Sequence, residues 1–96
     1  MGEPALDYHS CYRGFYLGIE AKAQGNLPTQ RQIRTMRSIR DAGGAVFLID
    51  DPEGPDIGQL IGWFVEPVRG FSSKLATYWM AQGIVKGDTL DDISDD

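Results

Sequence analysis

The chain has 96 residues, of which 42% are hydrophobic and 24% are charged, the composition of an ordinary soluble globular protein. This length leaves room for one domain, and the single cysteine, Cys11, excludes an intramolecular disulfide. No apolar run has the length of a signal peptide or a membrane span, so we expect a cytoplasmic protein with no membrane partner.

The formal net charge of −5 is divided unevenly along the chain. Residues 1–49 carry six basic and four acidic groups, whereas residues 50–96 carry three basic and ten acidic groups. This division predicts a cationic binding surface in the first half and an acidic opposite side. A solvated surface with an acidic tail explains the same division.

The first predicted element is a strand over residues 15–22, because apolar side chains alternate there with Tyr16, Gly18, Glu20 and Lys22. A shorter strand is predicted over residues 5–8, with residues 9–14 as the connection of a hairpin. Asp7 would then lie on the neighbouring strand.

A helix is predicted next, with Thr29 as its N-cap, because Thr29 and Gln32 have the spacing of a capping box. It should end at Gly43 and Gly44. The helical period places Gln32 on the inward side and the four arginines at positions 31, 34, 37 and 40 on the outer side and its edges.

The apolar run over residues 45–49 predicts a buried strand, parallel to the first because a helix connects the two. Residues 51–58 are predicted to be a loop and residues 59–65 a further strand. Ser72 is expected to cap a last helix over residues 73–82, with Leu75, Tyr78 and Trp79 on its apolar side. The predicted domain covers residues 1–86, and residues 87–96 are expected to be a disordered acidic tail.

The predicted hairpin brings together Asp7, Glu20 and Lys22. Mg²⁺ is usually held by one or two carboxylates together with water and substrate phosphate. Asp7, Glu20 and the carbonyl of Ala21 are therefore the candidate ligands of Mg²⁺ or Mn²⁺, with Lys22 placed to act on a phosphodiester and its attacking water.

Each of these residue types also has an ordinary structural explanation. A Glu-x-Lys tripeptide is common on exposed strands, and Gln32 can serve the capping box alone or in addition to an active site. His9 and Cys11 fit a surface turn better than a general base or a zinc site. Tyr8, Tyr12 and Tyr16 are candidates for stacking on bases or for packing on the sheet.

The order of these segments closely resembles the virus-type replication-repair nuclease (VRR-NUC) domains of the PD-(D/E)xK nuclease superfamily. The matching stretches are residues 2–7, 13–25, 28–32 and 42–49, and together they span roughly residues 2–50, about half the chain. The resemblance implies a restriction-endonuclease-like mixed sheet with flanking helices, Asp7 and Glu20 as metal ligands, Lys22 as the catalytic lysine and Gln32 beside them. It also implies a homodimer that cuts branched DNA such as Holliday junctions, in the host cytoplasm if the chain is viral.

The chain departs from the family pattern in two places. The family places an acidic helix ahead of the matched segment, and its aspartate directly follows a proline, whereas Asp7 stands three residues after Pro4. The main hypothesis is a Mg²⁺-dependent endodeoxyribonuclease that contacts DNA through Tyr8, Arg13, Arg31 and Arg34. The alternative is a non-catalytic DNA-binding or assembly subunit that needs a partner chain to complete the site.

Overall fold

Three strands and three helices make up residues 6–82, the part of the chain that the computed structural model describes. In chain order they are β1 (Tyr8–Tyr12), β2 (Phe15–Ala21), α1 (Gln30–Asp41), β3 (Ala45–Ile49), α2 (Pro55–Val65) and α3 (Lys74–Gln82). The strands form one mixed sheet in the order β1-β2-β3, with β1 antiparallel and β3 parallel to β2. The predicted α/β class and the parallel pairing of the strands on either side of α1 are confirmed.

The predicted hairpin is confirmed, but the bounds of its first strand, predicted over residues 5–8, were wrong. Residues 9–14 were expected to be the connection, whereas β1 runs from Tyr8 to Tyr12 and the turn consists of Arg13 and Gly14 alone, with φ of 54° and 85°. β1 is an edge strand with polar or exposed side chains on both faces, so hydrophobic alternation does not mark it. Asp7 therefore lies directly before β1 and not within a strand.

Helix α1 begins and ends as its sequence predicts. The Thr29 hydroxyl accepts from the Gln32 N–H, the Gln32 side chain accepts from the Thr29 N–H, and Gly43 follows the helix with φ of 100°. Ile33, Met36 and Ile39 are buried. The predicted outward position of Arg37 was wrong, because its guanidinium donates to the carbonyl of Met80 in α3.

The predicted loop over residues 51–58 is confirmed for residues 51–54 only, and the predicted strand over residues 59–65 was wrong, since Pro55–Val65 is helix α2. Proline suits the first turn of a helix because its missing N–H has no partner there. Gly58 and Gly62 lower the helix propensity of this segment, and a short apolar run does not by itself distinguish a strand from a buried helix.

Helix α3 begins one residue later than predicted. Ser73, and not Ser72, lies at its start: the Ser73 hydroxyl accepts from the N–H groups of Ala76 and Leu48, at 3.4 and 3.2 Å. Tyr78 was expected on the apolar side but is 52% exposed, while Ala76 and Met80 are buried. The predicted domain end at residue 86 and the tail at 87–96 lie outside the described residues.

The sheet has helices on both faces. On one face, α1 and α3 cover a core of Leu6, Ile33, Met36, Ile39, Val46, Leu48, Ala76 and Met80. On the other face, α2 covers a core of Leu17, Ala45, Phe47 and Trp63, with further aromatic side chains packed around it. Because side chains alternate along β2, Leu17 and Ile19 face α2, while Gly18 and Glu20 face α1.

Gly44, which lies between α1 and β3, is a position where the backbone leaves no room for a side chain. A Cβ built there lies 2.8 Å from the carbonyl oxygen of Tyr16 and 3.1 Å from that of Ile39, both backbone atoms. We expect Gly44→Ala to lower the free energy of unfolding by about 3 kcal/mol, the upper end of the usual cost of overpacking. Urea denaturation measures the change.

Gly18→Ala is the matched control for Gly44→Ala. The close contacts of a Cβ at Gly18 are with the side-chain ends of Leu6 and Ile39, at 2.7 and 3.1 Å, which can rotate away, while the nearest backbone atom of another strand, the Tyr8 carbonyl oxygen, is at an ordinary 3.8 Å. We expect a loss of about 1 kcal/mol for this variant. An equal loss for the two variants would contradict the distinction between backbone and side-chain obstruction.

Candidate active site

The candidate site forms where β1 begins and β2 ends. Glu20 is the last but one residue of β2, and Asp7 stands directly before β1, which pairs with β2. Lys22 follows β2, and its backbone N–H donates to the carbonyl of Ile49 in β3 at 2.9 Å. Gln32 reaches the same place from the first turn of α1. The structure thus brings together the four residues that the sequence predicted to be catalytic.

Asp7 and Glu20 hold each other in place through backbone groups. The Asp7 N–H donates to Oε1 of Glu20 at 3.0 Å, and the Ala21 N–H donates to Oδ2 of Asp7 at 3.0 Å. Each carboxylate therefore accepts a main-chain donor of the segment that carries the other. Two such bonds between parts of the chain thirteen and fourteen residues apart fix the separation of the two carboxylates.

Gln32 makes two side-chain hydrogen bonds, one within its helix cap and one to Glu20. Its Oε1 completes the capping box by accepting from the Thr29 N–H at 2.9 Å. Its Nε2 donates to Oε2 of Glu20 at 2.8 Å. The cap orients the amide so that its donor faces the site, and Glu20 consequently has a hydrogen bond to each of its oxygens.

Lys22 supplies the positive charge of the site. Its ammonium nitrogen lies 3.8 Å from Oε2 of Glu20, and its side chain is largely buried. The distance is longer than a hydrogen bond, so the ammonium keeps donors for another group. A phosphate oxygen is a suitable acceptor for them.

The pKa of Glu20 is raised above its ordinary value of 4.5, first by burial and then by the negative charge of Asp7. The N–H of Asp7, the charge of Lys22 and the hydrogen bond from Gln32 act in the opposite direction without cancelling the increase. The ionised form of the Glu20 carboxylate is thus only partly stabilised by its surroundings. A cation beside Glu20 and Asp7 would relieve the repulsion between them.

The donor set fits a hard divalent cation held largely by water and substrate. Residues 6–82 contain no group of three or more His, Cys, Asp or Glu side chains that could hold a metal ion. Two carboxylates are sufficient for Mg²⁺, which keeps several waters. The Ala21 N–H points towards Asp7. Because the N–H and C=O of one residue in a strand point to the same side of that strand, the Ala21 carbonyl also points to the side of β2 where Asp7 lies.

The predicted DNA-contacting residues are distributed over the molecule. Arg13 lies in the hairpin turn, about 17 Å along β2 from Glu20. Tyr8 is 65% exposed and pairs with Ile19. This pairing places Tyr8 on the sheet face that α2 covers, whereas Glu20 is on the other face. Arg31 adjoins Gln32 in the first turn of α1, whereas Arg34 lies on the opposite side of that helix. Of the four, Tyr8 directly follows Asp7 and Arg31 directly precedes Gln32, whereas Arg13 and Arg34 adjoin no site residue in the chain.

One contribution to the site was not expected from the sequence. The backbone N–H groups of Asp7 and Ala21 hold the carboxylates, and backbone donors carry no mark in residue types. Outside the site, His9 and Tyr16 form a side-chain hydrogen bond across β1 and β2 on the sheet face that Glu20 occupies. One histidine and three tyrosines in the hairpin were the available signal for that pair.

Among the described residues, no helix is long and apolar enough to cross a membrane. Comparison of the chain with protein-family models, curated proteins and solved structures finds no match. The geometry of Asp7, Glu20, Lys22 and Gln32 is therefore the basis for proposing a function.

Proposed function

We propose that this protein is a metal-dependent endodeoxyribonuclease that hydrolyses phosphodiester bonds. The observation that carries the proposal is the pair of reciprocal bonds between Asp7 and the Glu20-Ala21 segment, with Lys22 3.8 Å from Glu20. Two carboxylates with fixed separation, a neighbouring carbonyl oxygen and a lysine with available donors are what phosphodiester hydrolysis assisted by a divalent cation requires.

Asp7, Glu20 and the Ala21 carbonyl would hold Mg²⁺ or Mn²⁺. When bound, such a cation supplies Lewis-acid polarisation of a phosphate oxygen and activation of water. Lys22 donates to a non-bridging phosphate oxygen and offsets the negative charge that develops during attack. Gln32 keeps the Glu20 carboxylate in one orientation, and the burial of Glu20 at 4% exposure removes competing solvent.

The order of elements supports assigning the chain to the restriction-endonuclease-like fold and to the VRR-NUC domains. An antiparallel hairpin carries the acidic residues, a helix follows with an inward glutamine, and the next strand is parallel. A branched DNA such as a Holliday junction is the proposed substrate on the strength of that resemblance. Arg31 is the residue best placed to approach a phosphate near the site, because it adjoins Gln32.

The alternative function is a DNA-binding or assembly subunit whose site is completed by a partner chain. The finding in its favour is that no third His, Cys, Asp or Glu side chain of residues 6–82 joins Asp7 and Glu20 in a group that could hold a metal ion. A partner chain would then supply the missing acidic group.

Cleavage of a labelled four-way DNA junction and of matched duplex DNA, with Mg²⁺, with Mn²⁺ and with a chelator, tests the proposal. We expect cleavage only with a divalent cation. Glu20→Ala and Lys22→Ala should each lower kcat/KM by more than about 100-fold while the circular dichroism spectrum and DNA binding persist. DNA binding by the wild type without cleavage at any metal concentration would favour the alternative.

A further inference from the structure

A polar strip lies beside α1 on the sheet face that carries the candidate active site. His9 pairs with Gly18, two residues before Glu20 in β2, and therefore lies on the same face as Glu20. Tyr16 lies on this face too, two residues before Gly18. Helix α1 packs over β2 and β3, and β1 lies beyond its edge. His9 is consequently exposed, Tyr16 is 40% exposed, and a ligand bound in the active site can extend across both.

His9 and Tyr16 form a diagonal pair across the two strands. The Nδ1 atom of His9 shares a hydrogen bond with the Tyr16 hydroxyl, and the two ring centroids are 5.7 Å apart. The second ring nitrogen, Nε2, forms no hydrogen bond with any group of residues 6–82. Tyr16 thus holds the imidazole in one orientation and leaves Nε2 for a ligand, an arrangement that reduces the entropy lost on binding.

The Tyr16 hydroxyl also suits the tautomer of His9 that a phosphate requires. In a neutral imidazole one nitrogen carries the proton and the other accepts a hydrogen bond. A phosphate oxygen accepts, so a phosphate at Nε2 needs the proton there, and Nδ1 then accepts from the Tyr16 hydroxyl. A phenol can donate in this way. Phenylalanine at position 16 would keep the ring and remove this donor.

The spacing of the strip matches the spacing of a DNA backbone. Gly18 and Glu20 are two residues apart in β2, a step of about 7 Å, and His9 is the partner of Gly18. This step is comparable to the distance from one phosphate to the next along a DNA strand. When one phosphate lies beside the Glu20 carboxylate, its neighbour in the same strand is therefore within reach of Nε2 of His9.

We propose that His9 binds the DNA phosphate next to the one that is hydrolysed, an inference that rests on the proposed nuclease function. The Nε2–H of His9 donates to a non-bridging oxygen of that phosphate. Tyr16 is a positioning residue that acts through His9. Phosphate contacts fix the register of a protein on DNA without reading its sequence. The pair thus determines which phosphodiester enters the site, as a nuclease that recognises DNA by its branching requires.

Single methylphosphonates in the four-way junction test the contact. A methylphosphonate replaces one non-bridging oxygen by a methyl group and removes the negative charge of that phosphate. It is placed on either side of the bond that the wild type cuts. At one of these two positions it should raise the wild-type KM about tenfold, the loss of one hydrogen bond to a charged group, and leave kcat within about twofold.

His9→Ala should lose this discrimination. Its KM for the unmodified junction should be about tenfold higher than that of the wild type, and the methylphosphonate should add less than about twofold. Tyr16→Phe should raise KM about threefold, because the imidazole stays but its tautomer is no longer fixed. Ser10→Ala, on the opposite face of the same strand, is the matched control and should behave as the wild type.

Conservative variants separate the contact from the stability of the hairpin. The amide nitrogen of a glutamine can take the place of Nε2, whereas that of an asparagine lies near the place of Nδ1. His9→Gln should therefore recover most of the binding and the sensitivity to methylphosphonate, and His9→Asn should recover neither. Both variants remove the ring, so a loss caused only by a loosened hairpin would be the same in the two.

A methylphosphonate effect that is as large in His9→Ala as in the wild type would overturn the proposal, as would equal KM values for His9→Gln and His9→Asn. If the wild type cuts no DNA, the nuclease proposal fails. The contact is then decided by Kd, from fluorescence anisotropy with Ca²⁺ and methylphosphonates at each successive position of the junction. Coupling with His9→Ala below about twofold at every position would overturn the contact as well.

Discussion

Asp7→Asn is expected to abolish metal-dependent cleavage without loosening the fold. The asparagine side-chain oxygen can still accept the N–H of Ala21, so the bond that holds the start of β1 against the end of β2 is kept. The negative charge is lost, and with it one of the two carboxylates available to a cation. We expect kcat/KM to fall by more than about 100-fold, since even residues behind a metal ligand commonly cost 10–100-fold.

The stability of the same variant provides the second measurement. In the wild type without metal, the raised pKa of Glu20 means that its neutral form stabilises the folded state. This stabilisation is complete below about pH 4.5 and is lost as the pH rises through the raised pKa. Asp7→Asn removes the negative charge that contributes to the increase, so the loss should be smaller than in the wild type.

Thermal unfolding in a chelating buffer therefore has a defined outcome for Asp7→Asn. At pH 8 its Tm should equal or exceed that of the wild type, and at pH 4 the two should converge. Mn²⁺ should raise the Tm of the wild type but not that of the variant, because only the wild type has both carboxylates. A variant that unfolds more easily than the wild type at pH 8 would show that the Asp7 charge stabilises the fold, which our account excludes.

Gln32→Met is expected to weaken the site by releasing Glu20. The variant loses the donor to Oε2 of Glu20 and the acceptor for the Thr29 N–H. We expect activity and the affinity for Mn²⁺ to fall by about 10–100-fold, as is typical when a residue that orients a metal ligand is removed. Isothermal titration with Mn²⁺ and cleavage kinetics measure the two losses.

The pH profile separates this positioning role from a loss of helix stability. The hydrogen bond from Gln32 lowers the pKa of Glu20, so removing it raises that pKa further. Cation binding needs the ionised carboxylate, and the acid limb of the activity profile should therefore move to higher pH in Gln32→Met.

Thr29→Ala is the matched control, because it removes the Thr29 hydroxyl from the capping box and leaves the bond between Gln32 and Glu20. It should cost about 1 kcal/mol of stability with an unchanged pH profile. Identical profiles for Gln32→Met and the wild type would rule out the positioning role.

The sequence correctly predicted the elements in which the capping or turn residues and the pattern of buried side chains indicate the same structure. Helix α1 has a capping box at its start and glycines at its end, and β2 and β3 have the apolar patterns of strands that face a core. Strand β1 and helix α2 lack such agreement. β1 is an exposed edge whose pairing comes from β2, and α2 carries two glycines in an apolar run that suits either structure.

The sequence by itself determined which residue types are present for the chemistry and roughly where they lie: two acidic residues, a lysine two positions after the second, and a glutamine in a helix cap. Only the tertiary structure decided that they meet. The contacts that join them link segments twelve to fourteen residues apart through backbone N–H groups and one amide, and such groups carry no sequence signature. The raised pKa of Glu20 likewise depends on burial and on the approach of Asp7, which exist only once the sheet and α1 have closed around the side chain.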